Sequence, residues 1–179
     1  MSGYGLKEDQ TLSIILENDL KETGYNIKVI NGSVSGDTSE DGLDRIDEYT
    51  SGSDIDLIVL GLGANDMLRR INPDQTESNL RNIIEIIKTN NINIILAGMK
   101  ASPTNGLAYK KKFDYIFPKL AKEYDLNLIP FLLKKVALNP KLNQSDGIHP
   151  NYDGVKVISE TIKKSITNFE WEEILLIYL

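Results

Sequence analysis

Cysteine is absent from this chain of 179 residues, which excludes a disulfide, a thiolate nucleophile and any Cys-based metal site. The redox compartment therefore stays undetermined. Histidine occurs once, as His149. One imidazole without thiolates leaves only carboxylates as further ligands, a poor donor set for zinc, so no metal is expected. No apolar run reaches the roughly 18 residues that suggest a membrane-spanning helix, and no signal peptide is visible at Met1. Basic charge is scarce as well. The net charge is −6, and "KKK" at Lys110–Lys112 is the only cluster, near the start of an expected helix, where it reads as a solvated face. Nothing in that balance favours a nucleic-acid partner.

What is present describes a globular domain. Hydrophobic residues make up 41% and charged ones 26%, a balance that excludes a disordered chain, and the length suffices for one real core. Four short β-branched runs stand out: "NIKVIN" (26–31), "IDLIVLGL" (55–62), "INIILAGM" (92–99) and "LNLIPF" (126–131). The middle two are nearly continuous apolar segments, as expected of strands covered on both faces. Between them, apolar residues recur at helical spacing: Leu12, Ile15, Leu16 and Leu20; Leu80, Ile83, Ile84 and Ile87; Phe113, Ile116, Phe117, Leu120 and Tyr124; Val155, Ile158, Ile162 and Ile166. A weaker helix is expected over 38–49, where Thr38 precedes the acidic first turn Ser39–Glu40–Asp41. Helices alternating with strands predict a parallel sheet covered on both faces. The order opens on a helix, with no strand before it.

In such folds reactive groups collect in loops at the carboxyl ends of strands. Three loops qualify. In "NGSVSGDT" (31–38), Gly36 precedes a capped helix and its backbone N–H can point into a site, although a plain strand-to-helix turn would use the same residues. "GLGAND" (61–66) superficially resembles a dinucleotide loop, but Asp66 stands where a third glycine is needed and would repel a pyrophosphate. Asn65 is either an oxyanion donor or a turn former. In "NQSDGIHPNYDG" (143–154), Asp146 lies three residues before His149. That spacing can fold the carboxylate onto imidazole Nδ1 and leave Nε2 free as a base, while a structural histidine is the competitor.

Together these loops resemble the SGNH (GDSL-type) serine hydrolase family, in its bacterial thioesterase/lysophospholipase/arylesterase branch. "SGDT", "GAND" and "DGIHP" resemble its later blocks, and the flanks "GYGL", "AGMKASPTNG", "FDYIFPKLAKEYD" and "ALNPKLNQSDGIHPN" extend the likeness from Gly3 to about Thr167. The resemblance implies a flavodoxin-like three-layer α/β/α sandwich and ester or thioester hydrolysis through an acyl-enzyme, with no metal or organic cofactor. It implies His149 as general base, Asp146 as its orienting acid, and the Gly36 N–H and Asn65 side chain in the oxyanion hole. Ser102, Pro103, Thr104, Asn105 and Gly106 are expected to form a lip over the acyl chain, with Met99, Leu107 and Tyr109 either beneath that chain or in the core.

The family places its nucleophilic serine after the first strand, in a block that continues "GDSLxxGYGL". This chain begins "MSGYGL", so Met1 and Ser2 take the two variable positions and the nucleophile is expected upstream of Met1. The first strand, expected in the middle of the sheet, would be missing with it, leaving two unpaired strand edges and a poorly soluble or marginally stable chain as written. Such a chain would also be inactive. Ser2 is the nearest serine but falls three positions past the nucleophile; Ser33, Ser35 and Ser145 read as turn residues. The hydrolase domain is placed at 1–168 and a tail at 169–179, whose apolar "ILLIYL" is expected to dock on the sheet's surface. The rival readings are a non-catalytic acyl- or lipid-binding relative and, disfavoured by Asp66, a small nucleotide-binding module.

Overall fold

A computed structural model describes residues 3–52, 54–166 and 174–179. Met1, Ser2 and the expected domain boundary at 168 lie outside the described residues. Five strands, β1 (Ile27–Asn31), β2 (Leu57–Leu60), β3 (Asn93–Ala97), β4 (Asn127–Ile129) and β5 (Ile174–Tyr178), form one sheet in the order β1-β5-β2-β3-β4. Every pairing is parallel. Among the described residues seven α-helices cover it: α1 (Leu12–Glu22), α2 (Ser39–Asp44), α3 (Asp47–Thr50), α4 (Ala64–Leu68), α5 (Pro73–Thr89), α6 (Leu107–Tyr124) and α7 (Tyr152–Ile166). The helices pack in two groups, α1 against α7, and α2 and α6 against α5, which gives the three-layer α/β/α arrangement.

The apolar stripes face the core. Leu80, Ile83, Ile84 and Ile87 of α5 are all fully buried, as are all four residues of β2. Burying a side chain of this size contributes about 1.5–3 kcal/mol, so each stripe fixes its helix against the sheet. The start of α2 is secured locally. Thr38 accepts from Asp41 N, and the Asp41 carboxylate accepts in return from Thr38 N and Oγ1.

One expectation is corrected here. The sheet has no open slot in its interior, because β5, drawn from the tail, lies within the sheet between β1 and β2 instead of on its surface. Ile27 to Asn31 pair with Ile174 to Tyr178, and Leu57 to Val59 pair with Leu176 to Tyr178. Leu176 is fully buried, and Tyr178 and Leu179 nearly so. The two unpaired edges expected from a missing strand are therefore filled, and with them goes the physical ground for expecting marginal stability.

Candidate active site

The carboxyl ends of β1 and β2 carry two of the three loops, and the third returns beside them from the segment before α7. Gly36 has φ +90°, a left-handed conformation that glycine adopts without strain. Its carbonyl accepts from Arg69 Nη2 at 2.8 Å, and its N–H has no acceptor in the protein among the described residues. Asn65 lies in the first turn of α4, after Gly63 at φ +109°. One N–H of its amide donates to Asp37 O at 2.8 Å, which ties the two oxyanion candidates to one another.

Two groups that fix this wall carry no local sequence signal. Asp66 is fully buried and accepts from Ser39 N (2.9 Å), Ser39 Oγ (2.5 Å) and Thr76 Oγ1 (3.0 Å); Asn79 in turn donates to Ser39 Oγ. The acid next to Asn65 is thus the anchor that joins α2, α4 and α5, and its carboxylate serves the fold. Arg45 donates to Asp37 Oδ2 at 2.8 Å and to Gly32 O at 2.7 Å, which braces the loop from both ends.

The third loop is organised by Asp146. Its Oδ2 lies 2.7 Å from His149 Nδ1, and its Oδ1 accepts from Ile148 N (2.8 Å) and His149 N (2.9 Å). The hydrogen bond from the imidazole, followed by these two backbone donors, lowers the carboxyl from its usual range to about 2. Nε2 is therefore the imidazole nitrogen left for other work, and no serine hydroxyl is hydrogen-bonded to it among the described residues. The loop closes through the Asn143–Pro150 bridge and Gln144, whose side chain donates to Tyr4 O and Pro150 O. Tyr4 lies against His149 with ring centroids 4.6 Å apart.

All four candidates from the three loops line, or orient a group that lines, one cavity of about 460 Å³: Gly36, Asn65 and His149 do so directly, and Asp146 acts through His149. Ser102, Thr104 and Asn105 line it too, and Asn105 Nδ2 donates to Met67 O, fastening the lip to α4. Pro103 and Gly106 do not line it. Met99 does, whereas Leu107 does not, and Tyr109 donates to Ile71 O outside the cavity. Nine large hydrophobics among the described residues are exposed, and five of them, Tyr4, Val34, Leu68, Leu138 and Ile148, gather at this cavity. Among the described residues no cluster of His, Cys, Asp and Glu can hold a metal ion, and no helix is long and apolar enough to cross a membrane.

Comparison with known proteins places the chain in a family. The chain is 34% identical over 165 residues to the arylesterase of Vibrio mimicus, covering 92% of this chain and 82% of that protein. It is 39% identical over 138 residues to thioesterase 1/protease 1/lysophospholipase L1 of Escherichia coli K12, covering 77% of this chain and 66% of that one, just under two thirds of its length. Among solved structures, that of TesA superposes with a TM-score of 0.88 at 30% identity, over 93% of both chains. The profile of the GDSL-like lipase/acylhydrolase family matches residues 1–157, and the chain belongs to that family of carboxylic ester hydrolases.

Proposed function

We propose that the cavity is the acyl-transfer site of a serine ester or thioester hydrolase. The observation that carries the reading is the Asp146–His149 pair, bonded at 2.7 Å and facing the same cavity as the Gly36 N–H and the Asn65 amide. Asp146 holds the imidazole with Nδ1 protonated, so Nε2 accepts the proton of a serine hydroxyl delivered to the cavity. The serine oxygen bonds to the acyl carbon, and the carbonyl oxygen takes up the charge. The Gly36 N–H and Asn65 Nδ2–H stabilise that oxyanion, and such a donor is worth about 10²–10³ in rate. When the bond to the leaving group breaks, His149 returns its proton to the departing oxygen or sulfur. Water then attacks the acyl-serine by the same route, releasing a carboxylic acid and regenerating the serine.

The exposed apolar side chains gathered at the cavity support an acyl or aryl substrate, and the lip of Ser102, Thr104 and Asn105 borders it. The names of the two relatives span aryl esters, thioesters and lysophospholipids, all acyl compounds. The proposal requires a serine at the cavity. Ser33, Ser35 and Ser102 line it, but Ser33 Oγ donates to Tyr178 O, Ser102 Oγ is hydrogen-bonded to Thr104 Oγ1, and residues 1–179 alone are expected to be inactive. The test is covalent capture. The chain, given a relative's first strand and Gly-Asp-Ser-Leu ahead of Met1 in exchange for β5, is expected to bind one fluorophosphonate per molecule on that serine and to lose this on His149→Ala. Tight binding of fatty acid with no labelling would instead make this chain a non-catalytic acyl-binding relative.

A further inference from the structure

The parallel strand β5 ends at this cavity. We infer that the carboxyl end of β5 is where the nucleophile enters the site, so that the strand leading into it is supplied from the carboxy-terminal side of the chain. This rests on the hydrolase reading above and deepens it.

Three observations carry the inference. First, β5 lies inside the sheet between β1 and β2, parallel to both, in an interior slot such as the resemblance expects for the strand before the nucleophile. The family match covers residues 1–157, and β5 lies outside it in sequence order. Second, its last residues are fitted to the loops that carry the oxyanion donors. Gly32 N donates to Tyr178 O and Gly61 N to Leu179 O, both at 2.9 Å, and Leu179 N donates to Val59 O at 3.0 Å. A Cβ on Gly32 would come within 2.6 Å of Leu179 Cδ2, and one on Gly61 within 2.6 Å of Tyr178 Oη. A side chain at either position would have to displace the Leu179 or Tyr178 side chain, because β5 runs between them, at the point where its neighbours turn out of the sheet towards Gly36 and Asn65. A residue following Leu179 emerges between those two donors.

Third, the two sides of the gap border one cavity. Leu179 and Gly3 line the same cavity. With Gly-Asp-Ser-Leu set between them, the sequence reads "ILLIYL", "GDSL", "MSGYGL", and Met1 and Ser2 fall in the two variable positions of the block. Those four residues with Met1 and Ser2 reach about 20 Å when extended, ample for two ends that line one cavity.

Two forms of the full chain test this. In one, Gly-Asp-Ser-Leu is appended to Leu179; in the other, the same residues join Leu179 to Met1 by backbone cyclisation. Both are expected to bind one fluorophosphonate per chain on the added serine. Both are expected to hydrolyse p-nitrophenyl butyrate at least about 10³-fold faster than the same chains with alanine in place of that serine, an advantage abolished by His149→Ala. No labelling of either, beside labelling of the chain carrying a relative's strand and block ahead of Met1, would overturn the inference and leave the hydrolase reading standing. No labelling of all three would remove both. Should neither form unfold cooperatively where the parent does, β5 cannot lead a chain into the cavity, and the inference fails.

Discussion

The two walls of the cavity are built on opposite plans. The oxyanion wall is held from inside by the fully buried Asp66, whose partners Ser39 and Thr76 lie on other helices. The catalytic pair of the base wall is held by local bonds. Asp146 and His149 leave 38% and 42% of their side chains exposed, and every hydrogen bond of the Asp146 carboxylate spans three residues or fewer. The difference follows from what each wall must do. Oxyanion donors act only if fixed where charge develops, which favours long-range anchoring. A base must take a proton and give it back, and the Asp146 carboxylate alone fixes its tautomer. Stability should therefore sit with one carboxylate and rate with the other.

Exchanging the two acids breaks the comparison most sharply. In a serine-bearing chain, Asp146→Ala is expected to lower kcat by about 10⁴-fold, on the scale of triad acids, with a fall in melting temperature well below that of Asp66→Ala. Asn65→Ala comes next, with a loss of about 10²–10³ in kcat and little change in KM; a rise in KM alone would make Asn65 a binding residue. Asp66→Ala leaves three buried donors unpaired and is expected to cost about 3 kcal/mol or more, a fall of roughly 6–12 °C for a domain of this size. An unchanged melting temperature there would abolish the contrast between the walls.

The smallest effect concerns pH. Since its carboxyl sits at about 2 in the folded chain, Asp146 contributes stability above the ordinary carboxylate range and loses it as the pH falls through about 2. Its largest cause is the imidazole. His149→Ala is expected to move the Asp146 midpoint up towards the ordinary value in a carbon-13 NMR titration, with the two backbone donors still holding it lower. A midpoint that stays at about 2 would assign the shift to the backbone alone.

The helical stripes, the strand runs and all three loops were legible in the sequence because each is a local pattern. The stripe Leu80, Ile83, Ile84 and Ile87 is fully buried in α5, and four of the runs contain β1 to β4. The place of "ILLIYL" was not legible. It has the same continuous apolar character as β2, but a parallel strand finds its slot through partners distant in the chain, and no local signal states the strand order. The anchoring role of Asp66 was not legible for a similar reason. Read alone it is a charge that repels phosphate; only the fold brings Ser39 and Thr76 to it. Two lip residues, Pro103 and Gly106, were expected at the cavity and shape the turn instead, flanking the residues that line it.

The most direct test of a general base in this cavity is the turnover of p-nitrophenyl butyrate by the serine-bearing chain with and without His149→Ala. A fall in kcat of about 10⁴-fold or more, at an unchanged melting temperature, is the expected result; turnover within about tenfold of the parent would contradict the role assigned to His149.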